Sequence, residues 1–549
     1  MIRLFQNFTQ NFSKTFTQNP KDDILSGLTV ALALVPEAIA FAFVAGIDPI
    51  IGLYGAFMMG IVTAIFGGRP GMISGATGAM AAVVVSTHLI VKGNEVGASL
   101  GMEADYLGLQ WLFITLLLVG IFQVLAGVFR LGKFVRLIPH PVMMGFVNGL
   151  AIVIFLAQID FFNEKIGTEK VWLQGNDMYI MIALVVLTMG IMFGLPKLTK
   201  KVPSALVAIV VVAAITIFGG IEVSTVKSFV IEGSNGKSTG IEGSLPTFQN
   251  QIFTLFYTMK EHWTLILSTA FLLAAVGLIE SLMTLNLLDE MTETRGSGNR
   301  ECVAQGTANI LNGLFGGMGG CAMIGQSIIN VESGGRGRLS GIIAAIALLC
   351  FVLFGAPLIE QIPIAALVGV MFMVVIGTFA WSSFRILHKI PLSDAIVLIT
   401  VSAVTVWQDL AIAVFVGVIM SALVFAWESA TRIRARKFTK EDGTKVYEIW
   451  GPLFFGSTQA FSAKFDPKDD PEKVEIDFIE SKVSDHSGIE ALRGVANRYL
   501  DLGKEIKLTH LSEECITLLL KANPNFEQVI ERSIDDPRYY VVSDVMDGQ

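Results

Sequence analysis

Long apolar runs recur along this chain from roughly residue 25 to residue 435. Each run has about the 20 residues that an α-helix needs to cross a hydrocarbon core of about 30 Å. The 549-residue sequence is 53% hydrophobic and 16% charged, with a mean hydropathy of +0.64, whereas soluble domains usually contain about 25% charged residues. We therefore predict an α-helical polytopic membrane protein with about fourteen membrane segments, two of them unusually short.

The short connections between these runs alternate in charge. Basic connections lie at 131–136, 196–201, 336–338, 385–389 and 432–437, and the connections between them are poorer in Lys and Arg or mixed in charge. Basic connections stay in the cytoplasm, so both termini are expected there, in the cell (inner) membrane. We expect a cytoplasmic segment at 1–24 and a transmembrane domain at 25–437.

The chain changes character after Lys437, where apolar runs give way to a charged stretch. KVYEIWGPLFFG and VEIDFIE alternate like strands, and GIEALRGVANRYLDLG has apolar residues at helical spacing. We predict a small cytoplasmic α/β domain at 438–549.

Two glutamates interrupt the apolar runs: Glu37 in LALVPEAIAFAFVAG and Glu280 in FLLAAVGLIESLMTL. A carboxylate at bilayer depth costs at least about 2.5 kcal/mol, so an intramembrane acid suggests a functional site. Each glutamate precedes, by 43 residues, the methionine of a glycine-rich segment, Met80 or Met323. This spacing suggests matching positions in two halves of the chain, about 25–219 and 261–435.

The two glycine-rich segments are IFGGRPGMISGATGAM and LFGGMGGCAMIG, and each leads into an apolar run too short to span a bilayer alone. Short, glycine-interrupted segments at corresponding positions are typical of the central site of a secondary transporter. A half-helix beginning at the midplane directs unpaired N–H groups and a partial positive charge inward. Two such ends would bind an anion without Lys or Arg. The alternative is that the glycines only allow close helix packing.

At these residues the chain resembles the SulP/SLC26 family of inorganic anion transporters, including their bicarbonate-transporting members. The matching segments are VPEAIAFAFVAGIDPIIGLYGAF, IFGGRPGMISGATGAM, LIPHPVMMGFVNG, ECVAQGTANILNGLFGG and SGGRGRLSG. The tail, with VEIDFIESKVSDHSGIEAL, resembles a STAS domain. The resemblance implies fourteen segments in two inverted repeats of seven, divided into core and gate domains, with elevator-like transport and a homodimer that the STAS domain could help to form.

The resemblance also implies the residues of the site. It places an anion between the half-helices, in contact with the following residues: Glu37, Phe41, Thr77, Gly78, Ala79, Cys321, Ala322 and Met323. It places a coupling cation at Glu280 and Thr284, where sodium-coupled relatives have an aspartate and a threonine. Ser281 stands beside that acid, and no cofactor is implied other than this Na⁺.

Two departures from the family pattern leave the coupling ion open. Glu37 stands where the family often has an uncharged residue, and a carboxylate beside an anion must be protonated or paired. It is therefore a candidate proton site, the alternative being a hydrogen bond between helices. Met323 stands close to where sodium-coupled members have a threonine, which weakens the expectation of a sodium site.

In the tail, Ser487 matches a STAS serine that is phosphorylated in anti-sigma-factor antagonists. A phosphate there would add charge to the loop. The alternative is that Asp485 and Gly488 only shape a turn between a strand and a helix.

We expect a secondary active transporter of a small inorganic anion, bicarbonate first and sulfate second, coupled to Na⁺ or H⁺. A site walled by Ala76, Ala79, Ala322 and Met323 has few donors for a doubly charged anion. An uncoupled exchanger or channel and a membrane-anchored sensor remain alternatives. We expect no nucleic-acid partner and no enzymatic activity, because the sequence has no nucleophile and base pair, metal-ligand cluster or phosphate-binding loop.

Overall fold

The computed structural model describes residues 16–17, 19–102, 106–133, 139–166, 169–198, 203–233, 243–253, 258, 260–407, 410–522 and 524–532. Most of the expected segment 1–24 therefore lies outside the described residues, as does the end of the tail beyond residue 532. The chain divides into two compact units, Met1–Val418 and Ile419–Gln549.

The first half of the membrane unit is almost entirely helical. Its helices are α1 (Pro20–Val44), α2 (Pro49–Phe66), α3 (Gly78–Ser86), α4 (Leu89–Ser99), α5 (Tyr106–Val128), α6 (His140–Ile159), α7 (Asn176–Leu198), α8 (Ser204–Gly219) and α9 (Val226–Gly233). A two-residue strand β1 (Ser74–Gly75) precedes α3, and β2 (Asn163–Ile166) pairs with β3 (Glu169–Trp172) after α6.

The second half is also almost entirely helical. Its helices are α10 (Trp263–Thr292), α11 (Gly298–Phe315), α12 (Ile324–Glu332), α13 (Arg338–Ile359), α14 (Ile364–Thr378), α15 (Ser382–Ile386), α16 (Leu392–Trp407) and α17 (Leu410–Thr431). The two-residue strand β4 (Cys321–Ala322) precedes α12, just as β1 precedes α3.

Among the described residues, nine helical stretches are long and apolar enough to cross a membrane, and Ser204–Gly219 and Leu392–Trp407 are shorter apolar helices. Local signals set several boundaries. Pro49 occupies the first turn of α2, where its missing N–H costs nothing, and the Asp48 carboxylate accepts the Ile50 N–H at 3.0 Å. Gly316, at φ 75°, ends α11 in the left-handed conformation that glycine adopts without strain.

Glycines allow helices of the two halves to approach closely. A Cβ on Gly120 of α5 would lie 2.4 Å from the Gly306 carbonyl oxygen of α11, and a Cβ on Gly306 would lie 2.5 Å from the Gly120 carbonyl oxygen. A Cβ on Gly27 of α1 would lie 2.4 Å from the Ser340 carbonyl oxygen of α13. Small residues bring membrane helices into this kind of backbone contact.

The C-terminal unit contains a four-stranded sheet in the order β5 (Arg434–Thr439), β6 (Lys445–Trp450), β7 (Lys473–Glu480), β8 (Glu505–Thr509). β5 and β6 are antiparallel, whereas β6, β7 and β8 are parallel. The helices are α18 (Thr458–Ser462), α19 (His486–Leu500) and α20 (Glu513–Ala522). The predicted strands in KVYEIWGPLFFG and VEIDFIE and the predicted helix after them are confirmed as β6, β7 and α19.

The core of this unit includes Tyr447, Phe478, Leu492 and Tyr499, all at most 1% exposed. Asp470 is buried beside them: Lys445 and Tyr499 donate to its carboxylate, and the Tyr447 hydroxyl donates at 2.7 Å. Burial alone would raise the pKa of Asp470, but these three hydrogen bonds outweigh burial and hold the pKa below its usual range. The cluster joins β6, α19 and the segment before β7.

Candidate functional site

The two glycine-rich segments pair with each other. β1 and β4 are antiparallel, with Ser74 opposite Ala322 and Gly75 opposite Cys321, and the Met323 N–H donates to the Ile73 carbonyl at 2.9 Å. A Cβ on Gly320 would lie 1.9 Å from the Gly75 carbonyl oxygen. Only glycine fits at position 320, so this residue makes the pairing possible.

The helices α3 and α12 begin directly after these strands and have nine residues each. At 1.5 Å per residue each is about 13 Å long, roughly half a membrane. Their N-cap residues are Thr77 and Met323, and neither side chain caps its helix. The first-turn N–H groups of both helices thus lack the usual side-chain acceptor, which leaves two partly positive helix ends side by side.

The start of α3 is enclosed. Thr77 and Ala79 are at most 2% exposed, and Ala322 and Met323 at the start of α12 are at most 6% exposed. A Cβ on Gly78 would lie 2.7 Å from both the Phe41 ring and the Ile154 Cδ1. Phe41 therefore covers the first residue of α3.

Glu37 lies on α1, directly after Pro36, and is half-buried. Its carboxylate accepts a hydrogen bond from the Gln326 side-chain amide of α12. Gln326 is 5% exposed and is the third residue of that half-helix. The contact joins a helix of the first half to the half-helix of the second half.

Glu280 lies on α10 and is also half-buried. The Cys321 thiol donates to its carboxylate at 2.9 Å, and the Thr77 Oγ1 lies 3.1 Å from the same sulfur. The neighbouring Ser281 hydroxyl accepts the Ala322 N–H at 3.1 Å. These contacts hold β4 against α10.

The Thr284 hydroxyl donates to the Glu280 carbonyl oxygen at 2.8 Å. This is the usual bond of a helical threonine to the preceding turn. Thr284 is fully buried, and its oxygen keeps lone pairs that a cation could use.

The predicted residues around β1, β4 and the half-helices are therefore neighbours in space, and Glu37 and Glu280 both reach this region. The predicted equivalence of Met80 and Met323 is wrong. Met80 is the third residue of α3, whereas Met323 is the N-cap of α12, so the residue in the place of Met323 is Thr77. The shared spacing of 43 residues is a coincidence, because the loops that precede the two half-helices differ in length.

Sequence reasoning missed Gln326, although a polar residue one turn into an apolar half-helix is a recognisable signal. It also missed Asn309, whose side chain donates to the Gly320 carbonyl and accepts the Gly320 N–H, both at 3.0 Å. Asn309 also donates to Gln123 of α5 at 2.9 Å. Nothing local to Asn309 marks it, because its role depends on residues of other helices.

Two buried arginines lie at the ends of helices. Arg69 pairs with Asp289 at 2.7 Å, and Arg338 donates to the Ala64 and Gly67 carbonyl oxygens at 2.9 Å. Within the described ranges, no group of three or more His, Cys, Asp and Glu residues is arranged to hold a metal ion.

Ser487 lies in the C-terminal unit, exposed in the first turn of α19. The Asp485 carboxylate caps this helix by accepting the Gly488 N–H at 2.8 Å, and it also accepts the Phe455 N–H at 2.8 Å. The capping role considered for Asp485 and Gly488 is confirmed, and it leaves the Ser487 side chain accessible.

Comparison with known proteins assigns the chain. Residues 21–401 match the sulfate permease family. A putative sulfate transporter, YbaR of Bacillus subtilis, is 42% identical over 91% of this chain and 96% of its own length. The bicarbonate transporter BicA of Synechocystis is 30% identical over 82% of this chain and 81% of its own length.

Solved structures agree with this assignment. The transmembrane domain of a cyanobacterial BicA superposes with a TM-score of 0.60 at 30% identity, covering 72% of this chain and 97% of that domain. Murine Slc26a9, an anion transporter, superposes at 0.75 with 17% identity over 96% of this chain and 92% of its own, which shows a shared fold. The expected membrane, transporter and non-enzyme assignments are confirmed. The chain belongs to the sulfate permease (SulP/SLC26) family, whose members are membrane transporters of inorganic anions.

Proposed function

We propose that this protein is a secondary active transporter of a small inorganic oxyanion, with bicarbonate the first candidate substrate and sulfate the second. One observation carries the proposal: two half-helices begin side by side, uncapped and buried, between two helices that each bear a glutamate. An anion at this point would meet the N–H groups of both helix ends.

The binding residues follow from this placement. The anion would contact the backbone at Thr77, Gly78 and Ala79 on one side and at Ala322 and Met323 on the other. Phe41 would close the site, since it already covers Gly78.

The substrate preference rests on charge. Burying a second negative charge needs further donors to offset desolvation, and alanines and a methionine supply few. This favours bicarbonate, the substrate in the name of BicA. Sulfate stays the second candidate because the 42% identical relative is named a putative sulfate transporter.

The coupling ion would bind at a glutamate. An uncoupled exchanger or channel has no need of two costly acids at membrane depth. Glu280 with Thr284 is the candidate site for Na⁺, and Glu280 or Glu37 for a proton.

We infer fourteen membrane segments in two inverted repeats of seven. The protein would lie in the cell (inner) membrane, with both termini in the cytoplasm. Helix packing supports the repeat: α11 packs on α5 as α2 packs on α13, and α16 packs on α6 as α14 packs on α7. Helices α2, α5, α11 and α13, with the half-helices, would belong to the core domain. Helices α6, α7, α14 and α16 would belong to the gate domain. Elevator-like movement, a homodimer and a regulatory STAS domain at 438–549 belong to the same proposal.

The test is uptake into proteoliposomes, with labelled bicarbonate and labelled sulfate as separate substrates and Na⁺ and pH gradients imposed one at a time. We expect one of the two anions to accumulate above its outside concentration when one gradient is present. Uptake that only equilibrates under both gradients would instead identify an uncoupled exchanger or channel.

A further inference from the structure

The first strand of the C-terminal unit begins almost directly after the last membrane helix. The apolar stretch of α17 that can cross a membrane ends at Ala430, and β5 begins at Arg434. Between them, Ile433 is 2% exposed and belongs to the core of the C-terminal unit. Four residues of extended chain span at most about 14 Å. Arg434 therefore lies within that distance of the end of the membrane-crossing stretch.

One face of β5 carries exposed basic and aromatic side chains. Ala435 packs against the core of the unit, and the side chains of a strand alternate between its faces. Arg434, Arg436 and Phe438 therefore lie on the opposite, outer face, and all three are exposed. The pairing with β6 adds Trp450, which stands opposite Arg434 and is 46% exposed. These four side chains form what we name the basic patch.

The loop after Trp450 places one end of the basic patch beside the membrane helix. A Cβ on Gly451 would lie 3.5 Å from the Arg432 carbonyl oxygen, and a Cβ on Gly456 would lie 3.1 Å from the Ala430 Cβ. This loop thus contacts the end of α17. The part of the patch closest to the membrane is the pair formed by its first arginine and the tryptophan.

The positive charge of the basic patch is not neutralised by nearby acids. Glu448 stands opposite Arg436 but is only 8% exposed, and Glu480 lies on β7, two strands or about 10 Å from β5. Glu428 of α17 pairs with Arg432 at 2.7 Å. Within the described part of the chain, neither arginine of the patch forms an ion pair. Both guanidinium groups can therefore bind an external anion.

The aromatic members of the patch suit a membrane surface. Tryptophan is enriched at membrane–water interfaces, where its ring lies at the level of the headgroups. Phe438 is 42% exposed, and the Arg436 guanidinium lies 5.9 Å from the centre of its ring. This cation–π contact orients the guanidinium and leaves its N–H groups for other acceptors. An acidic protein partner would need the positive charge but not the aromatic rings.

The distance to the headgroups is short enough for contact. The interfacial region of one leaflet is about 5–8 Å thick, and the attraction of its negative lipids extends about one Debye length further, about 8 Å. Arg434 lies within this range of the end of α17, and a guanidinium binds phosphate oxygens in a bidentate manner. Basic clusters directly after a membrane helix are typical of binding sites for anionic lipids.

We propose that the basic patch binds the phosphate groups of anionic phospholipids in the leaflet next to the C-terminal unit, and so holds this unit on the membrane surface. The interaction does not depend on which anion the membrane unit transports, so it can be tested without a transport assay.

The first experiment uses Trp450 as a reporter. The full chain is reconstituted in phosphatidylcholine nanodiscs with a small fraction of lipid that carries a spin label near its headgroup, either phosphatidylglycerol or phosphatidylcholine. The fluorescence of Trp450 is the difference between the parent and Trp450→Phe. We expect labelled phosphatidylglycerol to quench it at least about fivefold more strongly, the ratio for one arginine contact. Equal quenching by the two lipids overturns the proposal, and so does an absence of quenching by either, which would mean that water or protein, such as a second copy of the chain, covers the patch.

The second experiment removes the charges. We expect the preference for phosphatidylglycerol to disappear in Arg434→Gln/Arg436→Gln, and in the parent at about 1 M salt, where charges are screened within about 3 Å. The matched control is Arg493→Gln/Arg498→Gln, which removes two exposed arginines of α19 and should keep the preference. A preference that persists in the first pair, or that the control pair also loses, overturns the proposal. Unfolding temperatures check that both variants are folded; if the first is not, a preference of the parent that ignores salt is sufficient to overturn it.

Discussion

The two halves of the membrane unit differ most at their glutamates. Glu280 bonds to Cys321, which stands directly opposite Gly75 in the paired strands. Gly75 has no side chain, so β1 offers Glu37 no partner equivalent to the Cys321 thiol. Glu37 instead reaches Gln326, whose counterpart as third residue of a half-helix is the apolar Met80. Both carboxylates therefore bond to residues of the second half, Glu280 to β4 and Glu37 to the half-helix α12 that follows it.

The stretch from β4 to the first turn of α12, residues 321–326, is the part of the site that both acids contact. We therefore expect a change in the charge of either acid to act first on this stretch. On the first half's side, Thr77 contacts Cys321, which in turn bonds to Glu280.

The largest effect is expected from removing the acid that we propose couples transport. Glu280→Gln keeps shape and a hydrogen bond to Cys321 but cannot gain or lose a proton. We expect accumulation against a gradient to be abolished, with equilibration remaining, in proteoliposome uptake driven by a pH gradient. Glu290→Gln, at an exposed position of the same helix, is the control. Gradient-driven accumulation by Glu280→Gln would move the coupling site, with Glu37→Gln the next variant to measure.

A nearly equal effect is expected where the two strands meet. Gly320→Ala would place a Cβ against the Gly75 carbonyl, so β4 must separate from β1. We expect destabilisation of about 2 kcal/mol or more and loss of uptake, followed by thermal unfolding and flux. Gly325→Ala, whose Cβ meets nothing within 4 Å, is the matched control and should behave like the parent. Equal behaviour of the two variants would show that the strand pairing does not hold the site.

A smaller effect is expected from making the two halves alike. Gln326→Met copies the first half and leaves Glu37 without its amide partner. An unsatisfied polar group costs about 1–3 kcal/mol when it is fully buried, and Glu37 is half-buried, so the unfolding temperature should fall by less than that cost implies and the pH profile of uptake should shift. The double variant Glu37→Gln/Gln326→Met measures whether the two residues act together. Strictly additive effects would mean that their contact is not used.

The smallest effect is expected from Thr284→Val. The lost hydroxyl bonds only to the preceding helical turn, a contact that helices readily forgo. We expect the unfolding temperature and pH-driven uptake to stay close to the parent. A loss of Na⁺-stimulated uptake in this variant would instead identify Thr284 as a sodium ligand.

Much of this arrangement could be predicted from the sequence, because long apolar runs indicate membrane helices and short, glycine-rich apolar runs indicate half-helices. The acids Glu37 and Glu280 were visible for the same reason: charge is rare at that depth. Their partners were not, since Gln326 and Cys321 become neighbours of the glutamates only after distant segments pair. The matching of Met80 with Met323 failed because equal spacing counts residues, whereas the fold aligns helix starts.

The contact between Gly120 and Gly306 has a consequence for how such a carrier moves. Neither glycine leaves room for a Cβ beside the other backbone, so a shift of one helix along the other would bring larger residues into collision. In the proposed elevator-like movement we therefore expect helices α5 and α11, one from each half, to travel together with the strand β4, whose preceding residue Gly320 is held by Asn309. In such a movement the proposed binding site would stay intact, and only the contacts between the moving helices and the rest of the membrane unit would change.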